Sequence, residues 1–490
     1  MKEYTKNPVL EIDGYKFCHY RQYPQGTEWI YQTWTPRKSY KDGITHAIHF
    51  GLQGGLADLS EEYDKYFFKM PLAKAINEFK EAAKGIRVDT KHLEALHKLG
   101  YLPIRVKALK EGTFTPIGVP MFTIENTHKD FYWLPGFLES SLSARIWLPS
   151  TTATVADSIR RVLSKYAQLT GDEGSVFFSV CDFSLRGMTS PESGTRGSCG
   201  HLLSFAFTET VSASYYLKHR YNAEDGALGY VPATEHSIMC AYGEDELSSY
   251  DHLITNAQPD GLISIVSDSY NLWDVVDKVM PALKDKIMVR DGKVLMRPDS
   301  GCPVKILCGD STSKDETIRK GLVERLGEIF GTSTNEKGYK DLSPKIGILH
   351  GDSITVAIAE EVCKGLMAKG FASTNIVFGV GTMLYQANTR DTFGFALKAT
   401  AIKINGKFKP IFKDPKTDTD KIKKSQKGMV AVVMRDGDLR LIEDLTPEEQ
   451  AKIKDCMLEE HFVDGKFVRE EKFEDIRERV KSEAKRVYGI

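Results

Sequence analysis

Between residues 176 and 382 the chain repeats one pattern: a short apolar run, a polar tip bearing Asp, Gly or Ser, then a longer amphipathic stretch. Residues 176–181 lead to Asp182, 262–266 to Ser267-Asp268-Ser269, and 294–296 to Arg297-Pro298-Asp299-Ser300-Gly301. Residues 346–349 lead to His350-Gly351-Asp352, and 375–378 to Gly379-Val380-Gly381-Thr382. Helical periodicity fills the gaps, as over 270–283 and 354–367. Repeated strand–tip–helix units build a parallel sheet covered by helices. In such folds, most regularly in (β/α)₈ barrels, the loops at the strands' carboxyl ends carry the active site. The pattern therefore predicts an α/β, barrel-like domain with its chemistry gathered on one face.

The flanks differ. Residues 1–50 and 396–435 alternate as strands do, and Asn405-Gly406 is a hairpin signal. Residues 60–100 are mostly helical, 413–428 read as a lysine-rich loop, and 473–487 as a charged amphipathic helix. This predicts a discontinuous β-rich and helical domain from 1–150 together with 396–490, around a barrel domain of 151–395. At 490 residues the length alone would allow about three domains, but α/β barrels often exceed that prior as one unit. A net charge of −1 without a lysine or arginine tract argues against a nucleic-acid groove or a membrane-surface patch. The 8 cysteines are scattered with no CxxC pair, which reads as reduced thiols and neither a zinc site nor a disulfide frame. The first residues lack the apolar core of a signal peptide, and no run of about 18 apolar residues occurs. The expectation is a soluble cytoplasmic protein.

Several tips carry chemistry. In Arg297-Pro298-Asp299-Ser300-Gly301 a rigid turn holds a guanidinium and a carboxylate two residues apart. Arg matches phosphate oxygens, and Asp can accept a ribose hydroxyl or bind hydrated Mg²⁺. The alternative is an exposed ion pair in a structural corner. Arg186 lies near an aromatic, Phe183, and a Gly/Ser/Thr run then enters a helix expected to begin near Ser198, a potential anion-binding N-terminus. Equally, Phe183 can be ordinary core and the run a plain loop. His236, between Glu235 and Ser237, suits a phosphate-facing or phosphate-accepting imidazole, although a lone histidine is more often structural. Asp268 is a second acidic tip whose plain role would be to cap the following helix. Gly351-Asp352 and Gly379-Val380-Gly381-Thr382 offer unobstructed backbone N–H groups to a phosphate. There is no GxGxxG fingerprint, HExxH, Walker loop or GxSxG elbow. The residues describe a ligand with several phosphates, a sugar and a flat ring. Mg²⁺ is expected as the counter-charge of a diphosphate leaving group.

Taken in order, Asp182-Phe183 with Arg186-Gly187, Glu235-His236-Ser237, Ser267-Asp268-Ser269-Tyr270, Arg297 to Gly301, Gly351-Asp352, Thr389-Arg390-Asp391 and Phe412-Lys413-Asp414-Pro415 resemble the nicotinamide phosphoribosyltransferase family over nearly the whole chain. The resemblance implies the irregular (β/α) barrel of type II phosphoribosyltransferases and the joining of nicotinamide to 5-phosphoribosyl-1-pyrophosphate. It implies that Phe183 stacks on the pyridine ring, with Tyr15 of a partner subunit on the other face of a homodimer's shared site. It assigns Arg186, His236 and Arg297 to the diphosphate, and Asp299 with Gly351-Asp352 to the ribose. Gly381 and Thr382, helped by Arg390, would take the 5′-phosphate. His236, Asp268, Arg297 and Asp299 form the implied catalytic set. The family also couples to ATP through a phosphorylated histidine, which His236 matches. Arg37, Lys398, Lys413 and a lysine of 421–424 would serve the ATP β/γ-phosphates. Two positions depart from the family. Glu209 stands where an Asp usually accepts from the carboxamide, and Thr382 with Met383 replaces phosphate-loop glycines. Two other readings stay open: a nicotinate phosphoribosyltransferase, which the Glu209 carboxylate opposes by repulsion, and a non-catalytic ligand-binding protein on the same scaffold.

Overall fold

The computed structural model describes residues 6–224, 229–417 and 424–489. The chain forms two compact units, one of residues 1–154, 216–223 and 388–489, the other of 155–215 and 224–387. Residues 151–154, 216–223 and 388–395 cluster with the first unit, whereas the sequence boundaries of 151–395 placed them in the barrel domain.

The second unit is built on six parallel strands in the order Phe207–Thr208, Val180–Asp182, Ile376–Val380, Ile346–His350, Gly292–Arg297, Gly261–Val266. Every neighbouring pair is parallel, as strand–helix–strand crossovers require. The sheet curls until its two edges meet the segment 229–234. Phe207 bridges Gly229 on one side and Ser264 bridges Ala233 on the other. Side chains alternate along each strand. Val180, Val294, Met296, Ile348 and Phe378 pack outward into a large core shared with the helices, including Val356–Ala368 and Leu322–Phe330. Cys181, Leu295 and Leu349 point inward, where they meet Val231 and the partly buried Phe207 and Val377 in a small apolar plug.

One expected strand is shorter than its apolar run. Residues Glu173–Phe178 form a 3₁₀ helix and only Val180–Asp182 pair in the sheet. Local bonds account for the difference. The Asp172 carboxylate accepts from the Gly174 N–H at 2.9 Å, and the Ser179 hydroxyl donates to the Val176 carbonyl at 2.7 Å. These short-range partners compete with ladder pairing.

The first unit holds a seven-stranded antiparallel sheet in the order Lys407–Pro410, Ala396–Ile404, Thr27–Thr35, Phe122–Asn126, Ile104–Ala108, Glu459–Val463, Lys466–Phe467. The Asn405-Gly406 turn joins its first two strands, with φ of 48° and 74°, the left-handed pair a tight hairpin needs. Among the described residues no helix is long and apolar enough to cross a membrane.

Candidate active site

The inward register of the barrel strands sets the site. Two residues beyond each plug residue, the same face of the strand carries an aromatic, polar or minimal side chain. Cys181 leads to Phe183, Phe207 to Glu209, Leu295 to Arg297 and Leu349 to Gly351, while Val377 leads through Gly379 to Gly381. Phe183, Glu209, Arg297, Gly351 and Gly381, with Arg186, Thr234, Glu235, His236, Ser237, Asp299 and Thr382, line one cavity of about 700 Å³.

Asp182 organises one wall without lining the cavity. Its carboxylate is wholly buried and accepts from the Ser184 N–H at 2.9 Å, the Ser198 hydroxyl at 2.6 Å and the Thr208 hydroxyl at 2.9 Å. Three donors make a buried charge tolerable and lock the turn that presents Phe183 and Arg186. The expected helix start at Ser198 is therefore corrected. The helix is Pro191–His201, begun by a capping box on Ser190, and Ser198 lies in its buried interior. Proline at its first position and the Ser190 cap decide the boundary. Arg186 is exposed, lines the cavity and has no protein partner among the described residues, which leaves its fork of donors for an anion.

Phe183 is held by its N–H, which donates to the Val380 carbonyl at 2.8 Å. The Arg297 guanidinium lies 5.8 Å from the ring centroid, and a Cβ on Gly379 would sit 3.2 Å from the ring. Gly379 thus lets the backbone approach the Phe183 ring, and the ring lines the cavity beside a cation.

Arg297 is 8% exposed and donates to the Thr234 carbonyl at 2.8 Å. Its terminal nitrogen stands 3.6 Å from Asp299. Asp268 joins the rest: it accepts from the Asp299 N–H at 2.9 Å, from the Ser300 hydroxyl at 2.5 Å and faces His236 Nε2 at 3.2 Å. Asp268 is therefore no helix cap, and it ties the His236 loop to the Arg297–Gly301 turn. Burial raises the Asp299 carboxyl above its usual range, the Arg297 cation opposes this, and the nearby Asp268 and Asp352 carboxylates add to the rise. Gly351 gives Asp299 its room, since a Cβ there would lie 2.1 Å from Asp299 Oδ1. Asp352 itself is exposed and does not line the cavity.

Glu209 follows the edge strand, and its N–H donates to the Asp182 carbonyl at 2.8 Å. One carboxylate oxygen, Oε1, accepts from the Val231 N–H at 3.0 Å and from the Cys181 thiol at 3.6 Å. The Gly381-Thr382 tip opens a four-residue helix, Thr382–Tyr385, on the cavity's rim.

Five further candidates lie in the first unit. Tyr15 is 64% exposed, with its hydroxyl 3.2 Å from Asp13. Arg390 acts electrostatically on the Tyr15 phenol and, with Arg37 and Lys413, on the Lys398 ammonium. Burial lowers the Lys398 ammonium below its usual value; the Glu139 carboxylate opposes that and the three cations reinforce it. A cationic cluster flanked by an exposed tyrosine is suited to polyphosphate. Lys421 and Lys423 lie outside the described residues, and Lys424 is exposed.

Sequence reasoning passed over Cys181, counted only as one of eight scattered thiols, and the carbonyl of Thr234. The period-two register from Cys181 to Phe183 was the available signal for the thiol.

The curled parallel sheet with a cavity at its strand tips is the fold of the type II phosphoribosyltransferases. Two solved structures share the fold: a nicotinate-nucleotide pyrophosphorylase from Pyrococcus furiosus (TM-score 0.60, 16% identity, 99% of this chain and 98% of that one) and the human nicotinic acid phosphoribosyltransferase (TM-score 0.60, 15% identity, 97% and 93%). The nicotinate phosphoribosyltransferase (NAPRTase) family matches residues 178–466, and the nicotinamide phosphoribosyltransferase N-terminal domain matches residues 7–70. A nicotinamide phosphoribosyltransferase from Acinetobacter baylyi is 41% identical over 97% of this chain and 97% of its own length. Another, from Mycoplasma genitalium, is 33% identical over 87% and 95%. The chain belongs to the nicotinamide phosphoribosyltransferase family.

Proposed function

We propose that this chain condenses nicotinamide with 5-phosphoribosyl-1-pyrophosphate to nicotinamide mononucleotide and pyrophosphate. The observation that carries the reading is one cavity in which an aromatic face, Phe183, a carboxylate with an open oxygen, Glu209, and an Arg297–Asp299 pair all converge.

The chemistry needs little acid–base work. The bond from ribose C1 to the diphosphate oxygen breaks, and positive charge grows on the ribose. The pyridine nitrogen, which carries no proton, donates its lone pair to C1 from the opposite face. Phe183 aligns the ring, so the attack becomes an oriented intramolecular-like step. Arg186 and Arg297 offer fixed positive charge where the diphosphate leaves. Asp299 accepts from the ribose hydroxyls, and the Asp268 carboxylate fixes its backbone.

The donor set fits Mg²⁺ held through the substrate. Asp299, with Asp268 and Asp352 acting electrostatically on it, places carboxylate oxygens beside the phosphate-binding Arg297. Mg²⁺ binds by one or two carboxylates plus phosphate oxygens, and when bound it would neutralise the diphosphate charge.

Glu209 favours nicotinamide over nicotinate, because its carboxylate accepts from an amide N–H and repels a second carboxylate. In the same proposal, His236 takes a phosphoryl group from ATP, and the Tyr15, Arg37, Arg390, Lys398 and Lys413 set completes the site of a partner subunit in a homodimer. The electrostatic grouping of those cations around Lys398 supports a polyphosphate role. Turnover of nicotinamide, followed by release of pyrophosphate with Mg²⁺ and with or without ATP, tests the reading. A purified protein releasing no pyrophosphate would favour the non-catalytic alternative.

A further inference from the structure

The plug at the barrel's centre is apolar except at one place. Cys181, wholly buried beside Val231, Leu295 and Leu349, turns its thiol to Glu209 Oε1 at 3.6 Å. The same oxygen accepts from the Val231 N–H at 3.0 Å, whereas Oε2 has no hydrogen-bond partner among the described residues. A glutamate side chain has three rotatable bonds, so a single anchor leaves its carboxylate free to swing. Two donors on one oxygen fix the group's plane and leave the other oxygen as the acceptor.

We propose that Cys181 is a positioning residue for substrate selection: its thiol and the Val231 N–H pin Oε1 of Glu209 so that Oε2 receives the amide N–H of nicotinamide. The inference rests on the nicotinamide reading and adds to it the residue that sets the acceptor's aim. The thiol suits the task chemically. S–H is a weak donor that packs as a small hydrophobe, so it can direct a carboxylate from inside an apolar plug. Burial, and after it the Glu209 and Asp182 carboxylates, hold the thiol well above its usual pKa, so it stays protonated and donating at neutral pH. Phe183, two residues on along the same inner face, places the ring that Glu209 reads.

The test measures steady-state kinetics for nicotinamide and nicotinate in the full-length enzyme and in Cys181→Ala, Cys181→Val and Cys181→Ser. Loss of the donor in the Ala and Val variants is expected to raise KM for nicotinamide about tenfold, with kcat changing much less. The preference for nicotinamide over nicotinate is expected to fall by a similar factor. Ser restores a donor and is expected to recover most of both losses. Val leaves no void where the thiol was, so a cavity that unfolds the Ala variant does not remove the comparison. Unchanged KM and preference in Ala and Val, or a Ser variant as impaired as Ala, would overturn the proposal. A wild-type enzyme inactive on nicotinamide would instead overturn the functional reading on which it rests.

Discussion

His236 Nε2 lies 3.2 Å from Asp268 Oδ1, and the imidazole is half exposed at the cavity while the carboxylate is nearly buried behind it. A carboxylate behind a histidine fixes its ring and tautomer and stabilises a positive or phosphorylated imidazole. Because Asp268 also accepts from the Asp299 N–H, the histidine and the Asp299 backbone share one support. His236→Ala is therefore expected to abolish stimulation by ATP and to leave a reduced basal synthesis. Pyrophosphate release with and without ATP measures both, and persisting ATP coupling in the variant contradicts the role given to His236.

Arg297 is held by the Thr234 carbonyl and faces both Phe183 and Asp299. Lysine keeps the charge but loses the planar fork and the stacking surface. Arg297→Lys is expected to lower kcat/KM by about 10²–10³, the usual scale for one lost transition-state donor. A variant within threefold of wild type would show that charge alone suffices.

Gly351 tests geometry without touching charge. Its missing Cβ keeps Asp299 Oδ1 in place, since an alanine methyl would fall 2.1 Å from that oxygen. Gly351→Ala is expected to displace Asp299 and cost about 10²-fold in turnover, the scale of a 1 Å misplacement. A small change in melting temperature should accompany it. Full activity in the alanine variant would remove Asp299 from the ribose site.

The first unit carries its own pH signature. Glu111, 1% exposed, accepts from the N–H groups of Gly51 and Gln53 at the start of helix Leu52–Tyr63. Burial pushes its carboxyl up to about 7 from a usual 4.5. Between those values the folded chain keeps a proton that the unfolded chain releases, so this group's contribution falls as pH rises from 4.5 to 7. Glu111→Gln cannot titrate. Its stability relative to wild type is expected to improve by about 2 kcal/mol between pH 5 and pH 8. Denaturant unfolding at the two pH values measures this, and a pH-independent difference contradicts it.

Much of this architecture could be read from residue order. Strand–tip–helix recurrence specified the parallel barrel, because burial on both faces and sharp polar endings leave few other folds. The Asn405-Gly406 hairpin followed from local turn chemistry alone. The Arg297–Asp299 turn and Gly351 were found because they sit where a strand must stop. What escaped was either tertiary or hidden by stronger local signals. The boundary of Pro191–His201 followed its Ser190 cap rather than the Gly/Ser run, and residues 176–178 followed Asp172 and Ser179 into a 3₁₀ turn. The bond between Cys181 and Glu209 joins one strand to the residue just past its neighbour, a register no single sequence reveals. Whether Asp268 would cap a helix or brace a histidine depended on where His236 folded, 32 residues away.

The most direct measurement of the central claim is pyrophosphate release from phosphoribosyl pyrophosphate and Mg²⁺ with nicotinamide or nicotinate as the acceptor. Glu209 predicts kcat/KM at least about 10²-fold higher for nicotinamide, since nicotinate would bring a second carboxylate against its open oxygen. Comparable kcat/KM for nicotinamide and nicotinate would contradict the account.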